Sequence, residues 1–105
     1  MKKYSINDFQ RGWFIGDFDN ALMRTTDFEV ALIQCPKGTH PKHHHKIVTE
    51  YNVLVQGKLK IGNAVLKTGD IYVIQPNETT EQEFLEDSIV VCVKTPSIPT
   101  DKYLE

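Results

Sequence analysis

The stretch Gly38–Gly57, GTHPKHHHKIVTEYNVLVQG, contains all four histidines of the chain and decides how the rest of the sequence is interpreted. Three of the histidines are consecutive, and Glu50 opens the apolar run that follows them. In an extended chain alternate residues share a face, so His43 and His45 point one way and His44 the other. Imidazole and carboxylate together suit zinc, iron, manganese or nickel. The stretch therefore predicts that His43, His45 and Glu50 bind one divalent metal ion.

The competing interpretation of these histidines is a solvated polar loop that carries no chemistry. The flanking glycines and the spacing from His45 to Glu50 favour the metal site over that loop. His44 is expected to be idle because it lies on the opposite face. His40 is expected at the rim of the site, where it can contact a substrate.

Many short strands punctuated by Gly, Pro and Asn predict a single all-β domain, a sandwich or barrel, over residues 1–105. No segment shows sustained helical periodicity with caps. The predicted strands cover residues 28–35, 47–56, 58–61, 64–66, 71–74, 81–85 and 89–93, and residues 1–25, with Trp13, Phe14 and Ile15, are predicted to form a short strand or hairpin arm. The core is therefore placed at about residues 28–93, between an N-terminal arm and an extended tail from Thr95.

Charge and composition exclude several classes of partner. The formal net charge is -2 and no basic cluster is interleaved with aromatic residues, so no nucleic-acid partner is expected. No apolar stretch is long enough to span a membrane, and the first residues do not form a secretory signal. The two cysteines, Cys35 and Cys92, are far apart and are expected to be buried, reduced thiols of a cytoplasmic protein.

The strand at residues 28–35 is apolar on both faces, so both faces are expected to be covered. In so small a protein the second cover can come from another subunit. Together with the aromatic N-terminal arm, this pattern predicts a homodimer.

The histidine-rich stretch resembles the first signature of the cupin superfamily. In that signature a glycine precedes a His-x-His pair, a glutamate and a closing glycine, which correspond here to Gly38, His43, His45, Glu50 and Gly57. The resemblance implies a small single-domain jelly-roll β-barrel, and a metal held by the histidine pair and the glutamate.

A second stretch resembles the second cupin signature but lacks its histidine. The Gly69-Asp70 turn leads to a strand and to Pro76, and the position of the family's fourth metal ligand falls on Thr80. A neutral hydroxyl is a poor ligand beside imidazole and carboxylate. The expected set is therefore two histidines and one carboxylate with open positions, which is the pattern of a catalytic site.

Further side chains are expected to line the same barrel and to contact a small-molecule ligand. They are His40, Asn52, Tyr72, Thr80 and Gln82. No residue is assigned a catalytic role from the sequence.

Three functions compete at this point. The first is a divalent-metal-dependent enzyme using Fe, Mn, Ni or Zn, of the isomerase type or, with iron, of the dioxygenase type. The second is a non-catalytic cupin that binds a sugar or another small ligand. The third is a metal-free sugar-nucleotide isomerase or epimerase, in which a histidine and Tyr72 would act as base and acid.

Overall fold

The computed structural model describes all residues 1–105 and consists mainly of β-strands. The strands are β1 (Trp13–Ile15), β2 (Glu29–Cys35), β3 (Gly38–Thr39), β4 (His43–His44), β5 (Thr49–Gln56), β6 (Lys58–Ile61), β7 (Ala64–Lys67), β8 (Ile71–Ile74), β9 (Gln82–Phe84), β10 (Ser88–Thr95) and β11 (Tyr103–Leu104). The only helical pieces are two single 3₁₀ turns, Ile6–Asp8 and Gln10–Gly12. The predicted all-β class is confirmed.

Two antiparallel sheets and one short strand pair make up the fold. The larger sheet has the order β1-β2-β10-β5-β8, and the smaller has the order β3-β9-β6-β7. The remaining pair joins β4 to β11. Sequence neighbours are often not sheet neighbours, since the central β10 pairs with β2 and with β5.

Alternation along β5 shows which way the larger sheet faces. Glu50, Asn52 and Leu54 are buried, whereas Tyr51 and Val55 between them are exposed. This is the period-two pattern of a strand with one face inward. Across the ladder Leu54 is paired with Val90 of β10, whose side chain is also buried.

The apolar core joins the two sheets. It consists of Cys35, Leu54, Leu59, Phe84 and Val90, which come from both sheets. Burying these side chains is the main source of stability, at about 1.5–3 kcal/mol for each large apolar group. The sheets therefore close over a shared interior, as the predicted jelly-roll barrel requires.

Several predicted elements agree closely with the structure. The strands at residues 58–61 and 71–74 have the bounds of β6 and β8. The two-residue turn between β6 and β7 carries Gly62 at φ 58°, a conformation in which glycine avoids the steric cost that other residues meet. The tail, predicted as an extended arm, pairs through Tyr103 and Leu104 with His44 and His43.

Within the predicted core of residues 28–93, two short strands were absent from the predicted set. Gly38–Thr39 and His43–His44 form β3 and β4, in a region without strand-like alternation. Their partners are β9 and β11, which lie about 40 to 60 residues further along the chain. Such non-local pairing leaves no local signal in the sequence.

The two cysteines are free and buried, as predicted. The outer face of the larger sheet leaves Tyr51, Val55, Ile71 and Val73 exposed. These apolar side chains are compatible with a second subunit, and the homodimer stays a prediction. No helix in the chain combines the length and the apolar character that crossing a membrane requires.

Candidate metal centre

The structure brings together the three residues predicted to bind metal. The potential donor atoms of His43, His45 and Glu50 all lie within 4.8 Å of one another. The rings of His43 and His45 meet edge to face, with centroids 5.4 Å apart. Donor atoms that share one ion at about 2.1 Å are at most about 4.2 Å apart. Small side-chain rotations are therefore enough to bring the three groups onto one ion.

Backbone carbonyls fix the orientation of both imidazoles. Nδ1 of His43 lies 3.3 Å from the carbonyl oxygen of Pro41, and Nδ1 of His45 donates a hydrogen bond to the carbonyl of Asp101. Each ring thereby presents Nε2 to the interior. Metal-binding histidines in proteins are held in this way, through a hydrogen bond from the second ring nitrogen. The residues present therefore fit a divalent ion.

His45 and Glu50 form a buried pair within this set. Nε2 of His45 lies 2.6 Å from Oε2 of Glu50, and both side chains are almost completely buried. Burial alone would raise the pKa of Glu50, but the hydrogen bond from His45 and the charge of Lys94 lower it to about 2. Glu50 is therefore a carboxylate at neutral pH, which is the form that binds a cation.

Cys92 supplies the second contact to Glu50. Its thiol donates to Oε1 of Glu50 across 3.4 Å, from the neighbouring strand β10. Burial, followed by the charge of Glu50, raises the pKa of Cys92 well above the usual range. Cys92 is consequently a neutral thiol that orients the carboxylate.

Burial also sets the protonation of His43. It lowers the pKa of this ring, and the charge of Lys102 acts in the same direction, against the hydrogen bond to Pro41. His43 is therefore neutral at neutral pH. Neutral imidazole is the form that coordinates a metal ion.

Asp101 fixes the turn that leads from β4 into β5. Its carboxylate accepts hydrogen bonds from the backbone N–H groups of Lys46, Ile47 and Val48 at 3.1, 2.8 and 2.9 Å. Its own carbonyl accepts the bond from His45. One residue of the C-terminal segment therefore holds both the backbone and the side chain of a candidate ligand.

The histidine and glutamate set lies at the wall of a large cavity of about 640 Å³, lined by His43 and Glu50. Four of the five predicted substrate contacts line it as well: His40, Asn52, Tyr72 and Gln82. Tyr72, whose direction the sequence leaves open, faces inward with buried Ile74. The cavity is of the size that holds small molecules.

Asn52 is the most informative of these lining residues. Its side chain is 4% exposed, and its Nδ2 group has no hydrogen-bond partner in the protein. A buried polar group without a partner is rare and costs free energy, so such a group in a cavity is suited to a ligand acceptor.

Thr80, the fifth predicted contact, is placed differently. It lies directly opposite His43, and each residue's backbone N–H bonds the other's carbonyl. It does not line the cavity that contains the metal set, and its buried hydroxyl has no partner. The assignment of Thr80 to the position of the family's fourth ligand stays a prediction.

His44 points away from the set. Its ring stacks on Tyr103 with centroids 5.5 Å apart, and it does not line the cavity. The alternation predicted for the three consecutive histidines is therefore present in the structure.

Sequence reasoning missed Asp101 and the orienting role of Cys92. The alternation of β10, which puts Cys92 on the face of Val90, could have identified the thiol as inward-facing. Asp101 has no comparable signal, because its three hydrogen bonds reach a turn more than 50 residues earlier.

No family model and no curated protein matches the chain. Solved structures do match. One is a conserved protein with a double-stranded beta-helix domain from Klebsiella pneumoniae, 20% identical, with 98% of this chain and 90% of that chain covered at a TM-score of 0.71. Another is a cupin-2 domain containing protein from Shewanella frigidimarina, 21% identical, with 68% and 72% covered at a TM-score of 0.62.

The chain has the fold of the cupins. A further cupin, named as a sugar phosphate isomerase from Silicibacter pomeroyi, is 20% identical, with 75% of this chain and 57% of that chain covered at a TM-score of 0.62. At these identities the likeness concerns the barrel. The resemblance seen in the two sequence signatures is thereby confirmed at the level of the fold.

Proposed function

We propose that this cupin is a divalent-metal-dependent enzyme that acts on a small molecule inside its barrel. The observation that carries the proposal is the convergence of His43, His45 and Glu50 within 4.8 Å at the wall of the cavity. Three protein ligands that leave coordination positions open are typical of catalytic rather than structural sites.

His43, His45 and Glu50 would hold the metal, which when bound supplies a Lewis acid for a carbonyl or enediol oxygen. The chain's own residues bind and orient the substrate. The free Nδ2 of Asn52 can donate to a substrate oxygen. Tyr72 and Gln82 add polar groups to the same cavity.

His40 is the proposed proton acceptor. It lines the cavity, and its ring packs 4.9 Å from the ring of Phe84. Burial, aided by the charge of Lys102, lowers the pKa of His40, so the ring is neutral and can take a proton near pH 7. Together with the cupin named as a sugar phosphate isomerase, this favours an isomerase-type reaction.

Metal titration of untagged protein tests the proposal. We expect one Mn, Fe, Ni or Zn ion per chain, and at least about 100-fold weaker binding after His43→Ala, which corresponds to about 2.7 kcal/mol. His44→Ala is the matched control, since that ring is adjacent in sequence but faces Tyr103. Absence of stoichiometric binding for all four metals, or equal losses in the two variants, would refute the proposal.

A second candidate is a metal-free isomerase that uses a histidine and Tyr72. Its support is that His40, His43 and Tyr72 line one cavity. Burial raises the pKa of Tyr72, so the hydroxyl is protonated and available as an acid. Turnover that persists in metal-chelated protein and is lost in Tyr72→Phe would favour this candidate over the metal enzyme.

A third candidate function is binding of a small molecule without catalysis. A ligand that binds only the folded state raises the melting temperature. Stabilisation by a small molecule with no product formed, with and without metal, would identify a binding module rather than an enzyme.

A further inference from the structure

Three cations line the cavity and come from three separate parts of the chain. Arg11 belongs to the second 3₁₀ turn at the N-terminus (Gln10–Gly12), Lys94 to β10, and Lys102 to the segment before β11. None of them forms an ion pair, since the ion pairs of the protein involve other residues.

The carboxylates that line the same cavity are already bound to other groups. Asp19 pairs with Arg24, and Glu50 pairs with His45. Glu29 accepts a hydrogen bond from Ser97 at 3.0 Å. Lys94 stands opposite Glu29 and Glu50 in the strand ladder but makes no ion pair with either. The three cations therefore form no ion pair within the protein, although Lys94 lies near enough to Glu50 for its charge to lower the pKa of that carboxyl.

The three cations are close enough to affect one another. Burial lowers the pKa of Lys102, and the positive charges of Lys94 and Arg11 lower it further, against the smaller opposing effect of the Glu50 carboxylate. Holding like charges together costs free energy unless an anion lies between them.

The backbone at Arg11 is also unusual. Arg11 has φ 55° and ψ 24°, a left-handed conformation that costs a non-glycine residue about 1–2 kcal/mol. Gly12 fixes this turn against β2, because a Cβ there would lie only 2.0 Å from the carbonyl oxygen of Leu32. Unfavourable backbone geometry of this kind is concentrated at functional sites.

Trp13, the residue that follows this turn, positions Lys94, the second of the three cations. The ammonium of Lys94 lies 4.9 Å from the centre of the Trp13 ring, which is a cation–π contact. The N-terminal turn therefore organises Arg11 directly and Lys94 through Trp13.

We propose that Arg11, Lys94 and Lys102 form a binding site for the anionic group, phosphate or carboxylate, of the small molecule that enters the cavity. Arginine and lysine are the residues that proteins use for both groups. The unpartnered Nδ2 of Asn52, deeper in the cavity, is a donor for another oxygen of the same molecule. The pairing of this site with the metal centre rests on the proposed function, whereas anion binding itself does not.

Titration of metal-chelated wild-type protein tests the site without any contribution from a metal. Inorganic phosphate and malonate serve as probes. Their binding is measured by isothermal titration calorimetry and by changes in the amide NMR shifts. We expect saturable binding of at least one of them, weakened by added NaCl because exposed charges are screened. Preference for phosphate would identify a phosphate-bearing substrate, and preference for malonate a carboxylate-bearing one.

Two variants assign the binding to the cations. Lys102→Gln should weaken the preferred anion about tenfold, as expected for one charge-assisted hydrogen bond. Lys58→Gln is the control, because Lys58 is an exposed lysine on β6 outside the cavity. Equal affinity in these two variants, or no saturable binding of either probe by the wild type, would overturn the proposal.

Arg11→Gly separates binding from folding. Glycine adopts φ 55° without steric cost, so the melting temperature should stay the same or rise. Anion affinity should nevertheless fall about tenfold, since a charged donor is lost. A lower melting temperature with unchanged anion affinity would show that Arg11 is structural and would refute its part in the site. Metal binding by His43, His45 and Glu50 is measured separately, so either proposal can fail alone.

Discussion

The inward face of this barrel has an apolar half and a polar half, and the same strands build both. In β5 Leu54 belongs to the apolar core, whereas Asn52 and Glu50 line the cavity. In β10 Val90 is part of the core and forms an apolar border of the cavity, and Cys92 two residues later contacts Glu50. A shift of two residues along a strand therefore changes the interior from a packed core into a binding site.

The two halves are stabilised by different physics. The apolar half stabilises the fold by removing side chains from water, and it needs no directional contacts. The polar half loses solvation and depends on specific partners, such as those of Glu50, which bonds both His45 and Cys92. Asn52 lacks a partner for Nδ2, so the polar half is also where the protein gives up stability in order to bind.

The largest effect is expected in the apolar half. Leu54→Ala removes a fully buried side chain and leaves a cavity, which should lower the free energy of unfolding by about 3–4 kcal/mol. Val55→Ala, at the next position but exposed, should change it by less than about 0.5 kcal/mol. Urea denaturation measures both. Similar losses in the two variants would contradict the assigned direction of β5.

In the polar half, Asp101→Ala should have the next largest effect. It removes the acceptor of three backbone N–H bonds and should cost about 3 kcal/mol. Asp87→Ala is the control, because the Asp87 carboxylate accepts one backbone bond, from Lys37 at 2.9 Å. We also expect metal affinity to fall about tenfold or more in Asp101→Ala only, because the support of His45 is loosened. Unchanged metal affinity would limit Asp101 to a structural role.

The smallest effect concerns pH. Glu50 has a pKa of about 2 in the folded protein against an ordinary value of 4.5. A lowered folded pKa means that its contribution is fully present above pH 4.5 and is lost as the pH falls towards 2. In metal-free protein we expect Glu50→Gln to remove this acid-dependent loss, which amounts to at most about 3 kcal/mol.

The matched variant for the pH experiment is Glu83→Gln, since Glu83 is an exposed residue of β9. Glu83→Gln leaves the His45–Glu50 pair intact, so it should keep the acid-dependent loss of stability that Glu50→Gln removes. Burial raises the pKa of Glu29, so that residue acts in the opposite direction, but equally in all three proteins. If the free energy of unfolding of Glu50→Gln fell with decreasing pH as it does in the wild type, the result would contradict the His45–Glu50 pair.

Local patterns predicted much of the fold and the centre of the site. Strand alternation and turn residues located β6 and β8 and gave the inward direction of His43, His45 and Glu50. The spacing of those three residues was enough to predict that they converge, because they lie within one short stretch of the chain.

The rest depends on contacts between distant segments. Arg11 and Lys102 reach the cavity only because the N-terminal turn packs on β2 and the C-terminal segment pairs with β4. Asp101 likewise acts on a turn far from it in sequence. None of these three residues stands in a pattern that distinguishes it from an ordinary surface charge, so the sequence alone could not assign them to the site.

The hydrogen bonds of Asp101 have a consequence for protein synthesis. A nascent chain that ends at Thr95 already contains His43, His45, Glu50 and the whole of β10. It lacks the carboxylate that holds the turn before β5 and the carbonyl that fixes the His45 ring. Asp101 is therefore synthesised after every strand of the two sheets, and the turn before β5 and the His45 ring become fixed only once it has docked.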